Sequence, residues 1–250
     1  MVLEGKVALV TGAGQGVGQG IALALAAAGA QVAVTGRTGA KLEATCKIIE
    51  ERGGSALPVV VDVKSAAAIE ACVSGVVSHF GRLNILVNNA QEVPLGTLHQ
   101  VSEESFTAGW ESGPLAVFRM MKLCYPHLRG DGCIINLASS SAKRWDVSGF
   151  GAYAASKEAI RALTRAAACE WGAQGIRSNA ILPLARSPGM AWWMEHKGDE
   201  AAQLLGSVPL GRVGDCEDDV GRFVVALCSD ASSYINGQSI GVDGGQAFMG

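Results

Sequence analysis

A glycine-rich segment near the amino terminus constrains the fold of this chain more than any other feature. It connects an apolar run, Lys6–Thr11, to an Ala/Leu-rich run, Val17–Ala28. Gly12 permits a sharp turn, Gly16 allows backbone to approach a ligand closely, and Gly18 allows a helix to pack against a sheet. Because helix N-termini bind anions, the segment predicts a dinucleotide pyrophosphate site. The expected contacts are Gly12, Gly14, Gln15, Gly16, Val17 and Gly18.

Strand-like and helix-like runs alternate along the whole chain. The predicted strands are Lys6–Thr11, Gln31–Gly36, Leu57–Asp62, Leu83–Asn88, Cys133–Ala138, Ile176–Leu182 and Ser239–Val242. The predicted helices are Val17–Ala28, Lys41–Arg52, Ala66–Phe80, Glu103–Leu128, Tyr153–Trp171 and Glu217–Cys228, with a loop-rich stretch before Arg212. This order predicts an α/β fold: a single domain over residues 1–250, with a doubly wound parallel sheet of Rossmann type.

Composition and charge exclude several classes of protein. The chain has 250 residues, 49% of them hydrophobic, and a net charge of −3 without a basic stripe, so we expect no nucleic-acid partner. The N-terminus lacks the pattern of a signal peptide, and no apolar stretch is long enough for a bilayer. Seven scattered cysteines without a Cys-x-x-Cys pair indicate reduced thiols in a cytoplasmic protein. The histidines show no metal-ligand spacing, and no metal is expected.

The end of the second predicted strand bears on the choice of cofactor. An acidic residue at this place binds the ribose 2′-hydroxyl of NAD and repels the 2′-phosphate of NADP. This chain has no acid there, and Arg37 is placed to pair with a 2′-phosphate. The sequence therefore predicts NADP(H) in preference to NAD(H).

A tyrosine and a lysine lie four residues apart in the Tyr153–Trp171 helix, so their side chains share one face. An ammonium beside a phenol stabilises phenolate, which predicts a lowered pKa for Tyr153 near Lys157. The pair can then exchange a proton with an alcohol or a ketone. Ser139 and Ser140 lie at the carboxyl end of the fifth strand, where open α/β sheets bind ligands.

Together these motifs, with Asn88-Asn89-Ala90 and the C-terminal run Gly237–Gly245, resemble the short-chain dehydrogenase/reductase family along essentially the whole chain. The resemblance implies a seven-stranded parallel sheet and a homotetramer or homodimer. It implies that Tyr153 is the general acid/base, that Lys157 holds the nicotinamide ribose and lowers the tyrosine pKa, and that Ser139 polarises the substrate oxygen. Strand register favours Ser139 for this last role, whereas the usual family spacing to the tyrosine favours Ser140. The further cofactor contacts implied are Asp62 and Val63 at the adenine, Asn88 and Ala90 at the ribose region, and Pro183.

Three positions depart from the family pattern. Gln91 stands where the family has a glycine beside the cofactor, and Leu184 replaces the glycine after Pro183. Gly113 stands where the family has a helix asparagine that anchors a relay water. Since Pro114 interrupts helical hydrogen bonding, we hypothesise that a kink here exposes a carbonyl, that of Trp110 or a neighbour, which holds this water.

The segment 186–210 is, by the same resemblance, the substrate lid. Its clustered Met190, Trp192 and Trp193 indicate a small apolar substrate, with cyclic and aromatic molecules as candidates. An apolar lid or subunit contact without a substrate role is the alternative. Trp145, together with Ser139 and Ser140, is expected in the same pocket.

The predicted function is NADP(H)-dependent interconversion of a ketone and a secondary alcohol, with a small-molecule carbonyl or alcohol substrate. A 3-oxoacyl-thioester (acyl-carrier-protein) reductase is the enzyme alternative, and it requires a basic docking surface for which Arg119, Lys122 and Arg129 are candidates. A non-catalytic NADP-binding sensor or scaffold is the alternative of another class. Retention of Ser139, Tyr153 and Lys157 argues against that class.

Overall fold

Seven short apolar runs pair in parallel into one sheet within residues 1–143, 147 and 149–247, which the computed structural model describes. The strands are β1 (Val7–Thr11), β2 (Gln31–Gly36), β3 (Ser55–Val60), β4 (Ile85–Asn88), β5 (Gly132–Leu137), β6 (Ile176–Pro183) and β7 (Ser239–Val242). Their order across the sheet is β3-β2-β1-β4-β5-β6-β7. The predicted α/β class and doubly wound parallel sheet are therefore confirmed.

Helices cover both faces of the sheet. They are α1 (Gly16–Ala27), α2 (Gly39–Glu51), α3 (Ala66–Phe80), α4 (Glu103–Trp110), α5 (Ala116–Leu128), α6 (Gly151–Trp171), α7 (Pro188–His196), α8 (Gly198–Gly206) and α9 (Arg222–Cys228). Alternate residues of β1 enter opposite cores, as the period of two in a strand requires. Ala8 and Val10 pack with α1, α2 and α9, whereas Val7 and Leu9 pack with α3, α5 and α6. None of the helices in the described part of the chain is long and apolar enough to cross a membrane.

The prediction of a loop-rich stretch between β6 and Arg212 is wrong, because α7 and α8 both lie within it. Local signals for α7 are present in the sequence. The Ser187 hydroxyl accepts a hydrogen bond from the Met190 N–H at 3.2 Å, and Pro188 occupies the first helical position. Both are favoured at a helix start, since a serine caps free N–H groups and a proline has none to lose.

The structure divides the single helix that was predicted over Glu103–Leu128 into two α-helices. A π-helical turn, Glu111–Leu115, separates α4 from α5. The Ala116 N–H donates to the Glu111 carbonyl five residues earlier. Pro114 lies inside this turn and cannot donate, and its ring would crowd the carbonyl four residues before it. A wider turn relieves that crowding while the chain stays helical on both sides.

The sheet order reverses between β1 and β4. The chain moves from β1 outward to β2 and β3, then returns to place β4 on the other side of β1. Connections from these two strands therefore diverge and leave a crevice beyond their carboxyl ends, where ligands bind in open α/β sheets. The glycine-rich turn, the residues after β4 and the serines after β5 all lie at this end.

Candidate active site

The turn between β1 and α1 has the backbone geometry that its glycines predict. Gly12 and Gly16 have φ angles of +65° and +62°, in the left-handed region that favours glycine. A Cβ on Gly18 would lie 2.4 Å from the Gly12 carbonyl oxygen, so no larger residue fits. Among the described residues, no side chain caps the N-terminus of α1. Its first N–H groups are thus free for an anion, and the cradle fits a dinucleotide pyrophosphate.

The end of β4 holds this turn in place. The Thr11 hydroxyl accepts hydrogen bonds from the Asn89 N–H at 2.9 Å and the Ala90 N–H at 3.0 Å. In return, Asn89 Nδ2 donates to the carbonyls of Thr11 and Gly12 at 2.8 and 3.1 Å. Thr11 and Asn89 are structural residues of the site that sequence reasoning missed, because each is chosen by a contact between distant segments.

Two unpredicted charges surround Arg37 just beyond β2. The Glu92 Oε1 atom lies 2.7 Å from Arg37 Nη1 and 3.0 Å from Lys64 Nζ. The carboxylate raises the pKa of Lys64, mainly through its hydrogen bond. Lys64 follows Asp62 and Val63, the predicted adenine neighbours, and its N–H donates to Asp62 Oδ1 at 3.0 Å. Two cations therefore lie beside this corner of the crevice, joined by one carboxylate.

The sequence-predicted catalytic residues come together at the ends of β5 and α6. The Tyr153 hydroxyl lies near the Ser139 side chain, whose interaction with it lowers the tyrosine pKa. Lys157 is buried, and its ammonium nitrogen lies 5.3 Å from the centroid of the Tyr153 ring. The same nitrogen donates to the Leu137 carbonyl at 2.5 Å. Ser139, Tyr153 and Lys157 thus lie close together where β5 and α6 meet.

The protonation of this group differs from the sequence-based expectation. Desolvation raises the pKa of Tyr153 to about 12, and the Ser139 hydrogen bond lowers it only in part. Desolvation also lowers the pKa of Lys157 to about 7. The prediction that the lysine depresses the tyrosine pKa is therefore wrong for the isolated chain. Because burial lowers the lysine pKa to about 7, only about half of the lysine is charged at neutral pH, and its stabilisation of a phenolate is weakened.

Ser139 and Ser140 have different partners. Ser139 contacts the tyrosine, and its hydroxyl also accepts from the Ser141 N–H at 3.2 Å. The Ser140 hydroxyl instead contacts Gln246 Oε1 at 3.1 Å. Gln246 comes from the C-terminal segment, and no sequence signal marked it. The contact geometry links Ser139, and not Ser140, to the tyrosine.

The remaining predicted cofactor contacts lie at strand ends. Asn88 ends β4 and is buried, with its Nδ2 donating to Asn136 Oδ1 at 2.8 Å. Ala90, two residues further, is half-buried beside the glycine turn. Pro183 ends β6, where it pairs with Val242 of β7. All three therefore lie at the same end of the sheet as the turn.

The predicted lid begins beside the turn, since a Cβ on Gly16 would lie 3.3 Å from Ser187 Cβ. Met190 and Trp193 of α7 are half-buried. Trp192 is 60% exposed and stacks on His196, with ring centroids 4.4 Å apart. Trp145 lies outside the described residues.

A cavity of about 510 Å³ lies at the opposite end of the sheet. Lys6, Asn84, Gly132 and Ile176 line it, and each stands at or just before the start of a strand. It is therefore remote from Tyr153, and its size does not make it the reaction site.

Comparison with known proteins places this geometry in a family. A family model described as enoyl-(acyl carrier protein) reductase matches residues 12–247. The chain belongs to the short-chain dehydrogenase/reductase family. It is similar to a 12α-hydroxysteroid dehydrogenase of a Clostridium species, with 38% identity over 98% of this chain and 97% of that protein. It is also similar to a 3-oxoacyl-(acyl-carrier-protein) reductase of Thermotoga maritima, with 35% identity over 98% and 99% of the two chains.

Among solved structures, a variant of actinorhodin polyketide ketoreductase determined with NADPH superposes with a TM-score of 0.91. It is 32% identical, and the match covers 98% of each chain. The chain is thus an oxidoreductase of a family that uses nicotinamide cofactors and acts on small molecules.

Proposed function

We propose that the protein interconverts a ketone and a secondary alcohol with NADP(H), and that Tyr153 is the proton donor and acceptor. The observation that carries this proposal is the close placement of Ser139, Tyr153 and Lys157 at the carboxyl end of the sheet. A hydroxyl pair beside a buried ammonium is suited to exchanging one proton with a substrate oxygen. A sensor or scaffold has no need of it.

In the direction of reduction, the ketone oxygen accepts hydrogen bonds from the Tyr153 and Ser139 hydroxyls. A nicotinamide cofactor, when bound, would supply the hydride that the carbonyl carbon accepts. Tyr153 gives its proton to the oxygen, so that one hydride and one proton convert the ketone to an alcohol. A tyrosine pKa of about 12 keeps the phenol protonated at neutral pH, which is the donor form.

For the cofactor, Gly12, Gly14, Gln15, Gly16, Val17 and Gly18 would hold the pyrophosphate, as the free N–H groups of α1 support. Asp62 and Val63 would flank the adenine, with Asn88, Ala90 and Pro183 along the ribose and nicotinamide. Lys157 would hold the nicotinamide ribose. Arg37 and Lys64 would pair with the 2′-phosphate, after Glu92 releases Arg37. The NADPH in the related ketoreductase structure agrees with this preference.

The substrate proposed is a small apolar ketone or alcohol with a cyclic or aromatic frame. The half-buried Met190 and Trp193 beside the turn support an apolar pocket wall. The related hydroxysteroid dehydrogenase is named for a ring substrate. Ser139, Ser140, Trp145 and Trp192 complete the proposed substrate contacts.

A 3-oxoacyl thioester is the second candidate, and the relative in Thermotoga maritima favours it. Its carrier protein is acidic and needs a basic surface. Lys122 and Arg129 are exposed, but the Arg119 guanidinium donates to the Lys64 carbonyl at 2.9 Å and is partly buried. The candidate docking surface for a carrier protein therefore keeps only two of its three predicted cations, Lys122 and Arg129.

The test measures binding of NADPH and NADH to wild type, Arg37→Ala and Glu92→Gln, followed by turnover on bulky cyclic ketones, aryl ketones and a 3-oxoacyl thioester. We expect wild type to prefer NADPH, Arg37→Ala to lose about tenfold or more of NADPH affinity alone, and Glu92→Gln to bind NADPH at least as tightly. Turnover of ring ketones supports the main proposal, and thioester turnover alone supports the second. Binding without any turnover would favour a sensor.

A further inference from the structure

We propose that Gln91 and Gly113 form a matched pair, in which the Gln91 carboxamide fills a notch in the π-helical turn and acts as a positioning residue for the α6 catalytic group. This inference rests on the proposed function. Both residues depart from the family pattern, and the structure brings them into contact. The side chain gained at position 91 therefore occupies the space that the absent side chain at position 113 leaves.

The notch exists because residue 113 has no side chain. A Cβ built on Gly113 would lie 2.7 Å from Gln91 Nε2 and 2.8 Å from Gln91 Cδ, closer than real Cβ contacts allow. Gly113 is buried and Gln91 is half-buried, so a side chain at 113 would push the amide out of the notch. With the amide in its observed position, only glycine fits at 113.

Neighbouring contacts hold the two segments in this register. The Glu92 N–H donates to Ser112 Oγ at 2.9 Å, and that hydroxyl donates to the Ala108 carbonyl at 2.6 Å. Pro94 packs on Gly109 so closely that a Cβ there would be 2.7 Å from its ring. The segment after β4 therefore crosses the wide turn and contacts it at three pairs of residues: Gln91 with Gly113, Glu92 with Ser112, and Pro94 with Gly109.

The orientation of the Gln91 amide is set by its surroundings. Nε2 donates to the Gly109 carbonyl at 3.4 Å, and a flipped amide would place two oxygens together there. Oε1 is buried, and it accepts no hydrogen bond from any described residue. A buried amide oxygen normally has a partner, so this oxygen is an acceptor still open to a polar group.

The same turn packs against α6, the helix that carries Tyr153 and Lys157. Beyond Pro94 the segment reaches the start of α6, where the Gly96 N–H donates to the Gly149 carbonyl at 2.9 Å. The Gln91 amide thus adds a buried polar group to the turn on which α6 rests, and it acts on Tyr153 and Lys157 through that packing. This contact takes the place of the backbone carbonyl hypothesised from the sequence.

The test is a double-mutant cycle with Gln91→Gly, Gly113→Asn and the double variant, with Gln91→Met as a control of similar length without an amide. Thermal unfolding, NADPH binding, and kcat, KM and the pH profile of ketone reduction are measured for each. We expect each single variant to lose Tm and kcat. The double variant should keep at least about tenfold more kcat than the product of the two single losses predicts.

The Gln91→Met variant distinguishes the effect of filling the notch from the effect of the polar amide group. We expect it to retain Tm, NADPH binding and ketone KM, to lose about tenfold in kcat, and to shift the pH profile of kcat. Additive single losses in both Tm and kcat would overturn the pairing. A methionine variant with wild-type kcat and pH profile would overturn the positioning role. An inactive wild type would refute the proposed function together with that role, while the Tm cycle would still decide the pairing.

Discussion

Helix α6, which carries the proposed catalytic residues, and helix α7, in the proposed lid, differ in how firmly the fold holds their side chains. Helix α6 has 21 residues, and Ser156 and Lys157 beside the tyrosine are buried in it. Helix α7 has nine residues, all described, and none is buried. Tyr153 lies against Ser139 of another element, whereas the exposed Trp192 stacks, among the described residues, on His196 of its own helix.

Under the proposed function, the firmly packed α6 serves proton transfer and the loosely packed α7 serves substrate selection. Proton transfer needs donor and acceptor placed to a fraction of an ångström, which only packed elements provide. A lid must open to admit the substrate, so it is drawn from weakly packed segments. We therefore expect substitutions in α6 to act on kcat, and substitutions in α7 to act on KM.

The largest expected effect is that of Tyr153→Phe, which removes one hydroxyl and keeps the ring. Turnover should fall by at least about a hundredfold, because the proton donor is lost, while NADPH binding stays within a few-fold. Steady-state kinetics and cofactor titration measure the two effects. Tyr125→Phe is a matched control, since it removes a phenol hydroxyl that contacts Gln174 and lies outside the candidate site. Loss of NADPH binding in Tyr153→Phe would contradict this division of roles.

An intermediate effect concerns the cost of burying Lys157. Its pKa is about 7 in the folded chain and near 10.5 when unfolded, so the folded state binds fewer protons between these values. The free energy of unfolding of the wild-type protein therefore rises with pH between about 7 and 10.5. Lys157→Met should stabilise the cofactor-free protein most below pH 7, and the gain should shrink by about 2 kcal/mol by pH 9. Denaturant unfolding at several pH values measures this. A gain that stays constant with pH would show that the ammonium is not desolvated.

The smallest expected effect is that of Trp192→Ala in the lid. The free energy of unfolding should change by less than about 0.5 kcal/mol, because the ring is mostly exposed. Ketone KM should rise by a few-fold without a change in kcat. Trp193→Ala, at the half-buried neighbour, is the matched comparison and should raise KM more. A large kcat loss in Trp192→Ala would contradict the expectation that substitutions in α7 act on KM and not on kcat.

Much of the framework was predictable from the chain itself. The spacing of Gly12, Gly16 and Gly18 predicted the turn, because no other residue type permits those backbone angles and contacts. Alternating apolar runs predicted seven parallel strands, since period and length distinguish strands from helices. The lid helices were missed because α7 carries no clear apolar stripe, so only its Ser187-Pro188 start marked it.

Charge and protonation were beyond sequence reasoning. The link from Arg37 through Glu92 to Lys64 joins residues far apart in the chain, and no spacing rule encodes it. The tyrosine pKa was predicted in the wrong direction because helical spacing shows which charges are neighbours but not how much water surrounds them.

The amino-acid sequence by itself determined the α/β architecture, the cofactor turn and the identity of the Tyr153–Lys157 pair, because these depend on local backbone geometry and periodicity. Only the tertiary structure decided the width of the turn at Pro114, the selection of Ser139 as the tyrosine partner, and the contact of Gln91 with Gly113. Those features depend on which distant segments exclude water from one another, and packing in three dimensions sets that.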